Sequence, residues 1–282
     1  MSRSFRLRDS RDEEAKLMDY SRLAPTLLVE ADGPLRIVTM NRPGELNSVD
    51  DDLHEGLRRV WDLLADDEGA RAVVLTGAGR AFSAGGHLPN FVLSHTDLAV
   101  RRRNIRTGER LVRAMLGCDL PVVAAVNGPA VGLGCSLATM SDFVVMAEES
   151  FLSDPHVRVG LVAGDGGVVT WPALTSLLTA KEYILLGDRI PATDALRMGL
   201  CNRVVPAADV LTTAKEIAFR FAALPPQAAQ DTKRALNAHL LGSANTVLNF
   251  ALAAEFESFG SEEVAIQATE FMEKSAQDSK EA

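Results

Sequence analysis

The stretch Pro121 to Gly134, PVVAAVNGPAVGLG, constrains the fold of this chain more than any other. Val122 to Val126 is an unbroken apolar run of strand length between Pro121 and Asn127-Gly128, and such a run predicts a strand buried on both faces. Gly128, Ala130, Gly132 and Gly134 then allow close backbone approach, and Leu137 to Met140 reads as the start of a buried helix. A strand that passes through a glycine-rich turn into a helix aims unpaired N–H groups outward, where they can hold an anion or a developing negative charge. The same residues are equally compatible with a tight turn that packs closely and binds nothing. Two cofactor motifs are excluded, because no GK[ST] follows and the glycines at 128, 132 and 134 lack the G-x-G-x-x-G spacing.

The strand-to-helix pattern recurs along the chain. Thr26 to Glu30 and Leu35 to Met40 flank the turn pair Asp32-Gly33 and predict a β-hairpin. Asp50 to Leu64 has helical apolar spacing with acidic residues in its first turn. Arg71 to Gly77 and Phe143 to Ala147 are further buried-strand runs, and an arginine-rich helix is expected from about Asp97 to Leu116. Strands alternating with helices at this spacing predict an α/β core of similar units with parallel strands. The glycine-rich segment FLSDPHVRVGLVAGDGGVVTWP, from Phe151, breaks the pattern, as functional loops do. Beyond it helices dominate, with helical spacing over Leu211–Ala223, Gln227–Leu241, Thr246–Phe259 and Glu262–Lys274 and one strand at Cys201–Val205. The expected organisation is an N-terminal arm over 1–24, a core over 25–205 and a helical region over 206–282.

Composition excludes several classes of function. The chain has 282 residues and a net charge of −9, which opposes a broad electrostatic grip on nucleic acid or acidic lipid. No apolar run spans a membrane, and the charged N-terminus lacks the apolar centre of a signal peptide. Cys118, Cys135 and Cys201 are odd in number and widely spaced, which predicts neither a disulfide framework nor a zinc site and fits a reducing cytoplasm. One local exception is the arginine series 101, 102, 103, 106, 110 and 113, readable as a solvated or subunit-facing helix surface or as an anion subsite.

AFSAGGHL at 81–88, PVVAAVNGPAVGLGCSLA at 121–138 and NRPGELNS at 41–48 together resemble the crotonase, or enoyl-CoA hydratase/isomerase, superfamily. GLVAGDGG at 160–167, RIPATDALRMGLCNRVV at 189–205 and SEEVAIQATEFMEK at 261–274 extend the resemblance in the same order. It implies an α/β spiral of β-β-α units, a helical C-terminal region used in trimerisation, and a homotrimer or dimer of trimers. It also implies an oxyanion hole of two backbone N–H groups, which motif alignment places at Gly86 and Leu133. Leu133 stands where the family usually has Gly, so a positive φ there would strain it.

The resemblance departs from the hydratases at the acid and base groups. Their two glutamates align with Ser136 and His156. The loop around His156 and Asp165 is similar to that of the 6-oxocamphor hydrolase type of C–C hydrolase, which acts on β-diketones, and Glu255 matches a glutamate of its C-terminal helix. In that reading His156 with Glu255 activates a water and Asp165 protonates the released enolate. Asp165 is also placed to cap a helix starting at Gly167, and Glu255 could be helix surface. His87 either lines the substrate pocket or has no role.

The retained NRP-x-x-x-N, FSAGG and FMEK elements resemble the CoA-using members. Asn47, Ser83, Ala84, His87, Ser136 and Lys274 are thereby expected at the substrate or CoA, and Val49 falls close to where the C–C hydrolase carries a pocket aromatic, which implies a different ring or chain. Coenzyme A is expected as part of the substrate, an acyl-CoA or a β-diketone, with no bound cofactor or metal. The expected reaction is hydrolytic C–C cleavage of a β-dicarbonyl compound. The alternatives are enoyl-CoA hydration with His156 in place of a glutamate, and a non-catalytic, RNA-binding relative.

Overall fold

The computed structural model describes residues 18–281, with side chains to residue 273. Most of the N-terminal arm expected over 1–24 lies outside the described residues. Strands β1 (Leu27–Asp32) and β2 (Leu35–Met40) form an antiparallel hairpin in which Leu27 pairs with Met40. Strands β3 (Ala72–Gly77), β4 (Val122–Val126), β6 (Phe143–Ala147) and β9 (Arg203–Val205) add parallel strands to β2. The sheet order is β1-β2-β3-β4-β6-β9. A second sheet is built from short strands β5 (Ala130–Val131), β7 (Phe151–Ser153) and β8 (Ile190–Pro191) in the order β5-β7-β8.

The apolar runs of β3 and β4 follow from two-sided burial. Val73, Leu75, Val122, Ala124 and Val126 face the main core, packed with helices α1 (Asp51–Ala65) and α3 (Leu98–Gly117). Their alternates Ala72, Val74, Val123 and Ala125 face a second layer filled by Val210, Ala214 and Ala218 of α8 (Val210–Ala222). Side chains alternate across a strand, so both sets must be apolar for the sheet to bury both faces.

Helices α2 (Leu88–Thr96), α4 (Leu133–Met140), α5 (Gly167–Leu174), α6 (Leu177–Leu186) and α7 (Ala192–Met198) complete the mixed α/β part. Helix α4 begins at Leu133, four residues before the helical start expected at Leu137, because Gly132 takes φ +51° and turns the chain straight from β5 into the helix. The two helices expected over 227–241 and 246–259 are one, α9 (Pro226–Ser258). Gly242 interrupts the apolar spacing without breaking the helix, at a cost of about 1 kcal/mol that packing of Ala244 and Leu248 into the core offsets. Helix α10 (Glu262–Glu281) follows and packs on α2. Among the described residues no helix is long and apolar enough to cross a membrane.

Candidate active site

Loops after β2, β3 and β4 meet at the carboxyl ends of these parallel strands, where open sheets of this kind place their ligands. Asn47 ties the first two loops together. Its Oδ1 accepts from Arg42 N at 2.9 Å, and its Nδ2 donates to Ala78 O and Ala81 O at 2.9 Å each. Ser83 Oγ donates to Asn47 O at 2.8 Å, and single parallel bridges pair Val49 with Gly86 and Ser83 with Ala130. Asn47 and Ser83 are both fully buried, which corrects the expectation that they contact substrate: they hold the loops that do.

The result is a cavity of about 90 Å³ whose lining includes Gly86, Leu133, His156, Asp165 and Glu255. Among the described residues neither Gly86 N–H nor Leu133 N–H donates to any protein group. Leu133 is the first residue of α4 and has no acceptor within the helix. The positive φ falls on Gly132 and not on Leu133, so the leucine carries no backbone strain. At Gly86 a β-carbon would stand 2.6 Å from the Phe91 ring, which explains the absence of a side chain. Two N–H donors in one small cavity can stabilise an oxyanion.

The charged groups come from the loop over 154–166 and from α9. His156 Nδ1 is hydrogen-bonded to Asp154 Oδ1, and His156 Nε2 lies 3.2 Å from Asp165 Oδ2. Asp165 Oδ1 accepts from Ser136 Oγ at 2.6 Å. All four residues are buried. Burial alone would discharge the imidazole, but Asp165 and Asp154 outweigh it and hold the His156 pKa well above its ordinary value. Burial likewise opposes ionisation of Asp165, and the His156 charge with the Ser136 hydroxyl outweighs it, so Asp165 stays below the usual carboxylate range. Glu255 has no such partner, and burial pushes it up to about 8. The shifts therefore run in opposite senses within one site: the charged form is favoured at His156 and at Asp165, and the neutral form at Glu255.

These charge states revise the expected pairing. The carboxylates on His156 are Asp165 and Asp154, the latter two residues before the histidine and unmarked by any motif, and not Glu255. With the charged form of His156 favoured, the two other ionisable groups available in the cavity for proton transfer are Asp165 and Glu255, shifted in opposite directions. Ser136 does not line the cavity and acts by orienting Asp165, which corrects its assignment to substrate. Asp154, His156 and Asp165 also form a cluster of possible metal ligands within 4.8 Å of one another. Because the two imidazole nitrogens face different carboxylates, this set fits a bridging imidazolium better than a shared ion.

Ala84 and His87 line an adjoining cavity of about 530 Å³ that shares Gly86 and His87 with the first. Lys274 belongs to α10, and its side chain lies outside the described residues. His54 of α1, which no motif marks, lines the first cavity, and burial lowers its pKa to about 4. Its position on an amphipathic helix gave no signal.

The sequence profile of the family described as enoyl-CoA hydratase/isomerase matches residues 30–281. The short-chain-enoyl-CoA hydratase of Clostridium acetobutylicum is 33% identical over 249 residues, spanning 88% of this chain and 95% of that protein. A crystal structure of an enoyl-CoA hydratase/isomerase from Mycobacterium paratuberculosis is 52% identical, with a TM-score of 0.85 over 87% of this chain and 98% of that one. The fold is also shared with a β-diketone hydrolase from the cyanobacterium Anabaena at 23% identity, TM-score 0.79, covering 87% of this chain and 98% of that one. The chain belongs to the enoyl-CoA hydratase/isomerase, or crotonase, family of enzymes.

Proposed function

We propose that this enzyme cleaves a carbon–carbon bond of a β-dicarbonyl acyl-CoA by hydrolysis, stabilising a thioester enolate on the Gly86 and Leu133 N–H groups. The observation that carries the reading is the placing of two unlike carboxyl groups on one cavity: Asp165, held by the Ser136 hydroxyl at 2.6 Å and facing His156 Nε2 at 3.2 Å, which favour its ionised form, and Glu255, which has no such partner and which burial pushes up to about 8. Environments that push two acids apart assign one as base and the other as acid. Ionised Asp165 takes a proton from water as the oxygen adds to the distal ketone carbon. Collapse of the tetrahedral adduct breaks the bond to the α-carbon, releases a carboxylic acid and leaves the electron pair on the enolate. Glu255 donates its proton to that α-carbon, and the proton held by Asp165 then resets Glu255.

His156, charged and fixed by Asp154, keeps Asp165 ionised throughout, and Ser136 keeps it oriented. The adjoining cavity lined by Ala84 and His87 is proposed for the coenzyme A arm, with Lys274 near its nucleotide. The three free, buried cysteines suit a cytoplasmic enzyme. An apolar groove of about 750 Å³ including Leu174, Phe221 and Leu236 supports assembly into a homotrimer or dimer of trimers, which light scattering would measure. The test of the reaction is product analysis: a β-dicarbonyl acyl-CoA is expected to yield a carboxylic acid and a shortened acyl-CoA.

A second reading, hydration of an enoyl-CoA, is favoured by the names of relatives such as the C. acetobutylicum protein. In it the same acid and base add water across a double bond, and the product is a single hydroxyacyl-CoA.

A further inference from the structure

Between α1 and α3 lies an open cleft of about 680 Å³ that shares Asp51, His54 and Asn104 with the catalytic cavity. The cavity proposed for the coenzyme A arm joins the catalytic cavity elsewhere, through Gly86 and His87. A thioester carbonyl bound at Gly86 and Leu133 therefore has one opening for its coenzyme A arm and another for its acyl chain. The second opening leads to arginines. Arg102, Arg103, Arg106 and Arg110 line the cleft, and the two carboxylates there are already engaged, Asp51 with Arg103 and Glu55 with Arg58. Among the described residues Arg102, Arg106 and Arg110 have no carboxylate partner. At the junction, the His54 Nε2 is buried and makes no hydrogen bond, so a polar group of the chain passing there would find a partner.

We infer that the cleft is a subsite for an anionic group at the far end of the substrate's acyl chain, so that the enzyme prefers chains ending in a carboxylate. The inference rests on the proposed function for the position of the reacting carbonyl. It assigns Arg102, Arg106 and Arg110 to specificity rather than to chemistry. Exposed arginines each contribute modestly, so a preference of about tenfold that weakens with salt is expected from three acting together.

The test uses binding, which does not depend on turnover. Dissociation constants are measured by calorimetry for a saturated acyl-CoA ending in a carboxylate and for its methyl-ended counterpart of equal length. The wild-type enzyme is expected to bind the first about tenfold more tightly, and the triple variant Arg102→Gln/Arg106→Gln/Arg110→Gln to lose that preference while binding the methyl-ended thioester within about twofold of wild type. No preference in the wild type overturns the inference. So does an equal loss for both thioesters, which would place the arginines on the coenzyme A phosphates or in the fold. If neither thioester binds, coenzyme A leaves the proposed function, and the same ratio is read on CoA-free β-diketones with and without a carboxylate arm, where absence of preference again overturns it.

Discussion

Asp154 and His156 are joined by a hydrogen bond from the imidazole Nδ1 to the carboxylate Oδ1, and both are buried. That bond fixes which imidazole nitrogen faces Asp165 and supplies one of the two charges that keep the ring protonated. Asp154→Asn retains a similar shape and removes the charge. The His156 pKa is expected to fall, Asp165 to lose part of its ionising partner, and kcat to drop about 10²-fold or more. Histidine titration by NMR checks the first effect and steady-state kinetics the last.

The proposed reaction uses Glu255 in its protonated form, so activity is expected to decline as pH rises through about 8. Glu255→Gln should lower kcat by roughly 10² to 10⁴ and abolish that alkaline limb. The same group affects stability. Its folded pKa is raised from 4.5 to about 8, so the folded state holds a proton that the unfolded state has lost between those values. Stability contributed by neutral Glu255 is full below pH 4.5 and is lost as pH rises to about 8, at about 1.4 kcal/mol per unit. Urea unfolding across that window should show a shallower decline for Glu255→Gln than for wild type.

Two glycines test the carboxylates sterically. A β-carbon on Gly164 would stand 2.3 Å from Glu255 Oε2, and one on Gly167 would stand 2.4 Å from Asp154 Oδ2. Neither glycine has a positive φ, so alanine introduces a clash without backbone strain. Gly164→Ala is expected to displace the acid and cost about 10²-fold in kcat with little change in KM. Gly167→Ala should instead displace Asp154 and lower both the His156 pKa and kcat, as Asp154→Asn does, which NMR titration and steady-state kinetics will report.

Gly86→Ala drives a methyl group into the Phe91 ring and should shift the Gly86 N–H off the oxyanion, lowering kcat by about 10² to 10³. Adding Phe91→Ala relieves the clash and should recover much of the loss. Leu133→Gly leaves its N–H in place and should change kcat only a few fold, since the donor belongs to the backbone. Kinetics on the three variants decide whether these two donors act as a pair.

The strands β4 and β6 were legible because burial on both faces demands continuous apolar runs, and their bounds match the expected ones. The second sheet was not, because strands of two or three residues leave no periodicity to read. Helix α9 was read as two because Gly242 and Ser243 carry turn chemistry that tertiary packing overrides. At the site, motifs located Gly86, Leu133, His156, Asp165 and Glu255 on one cavity. They could not supply charge states, which depend on burial and on neighbours far apart in sequence, such as Ser136 and Asp165. Asp154 went unassigned for the same reason, since a carboxylate two residues from a histidine touches it only in particular loop conformations.

The most direct measurement incubates the enzyme with a β-dicarbonyl acyl-CoA in D₂O enriched in oxygen-18 and analyses the products by mass spectrometry. Water attack at the ketone, C–C scission and protonation of the enolate by Glu255 predict a carboxylic acid carrying at least one solvent oxygen and a shortened acyl-CoA carrying at least one solvent deuterium at its α-carbon. An untouched β-dicarbonyl substrate, alongside an enoyl-CoA that gains a single water without losing carbon, would contradict it.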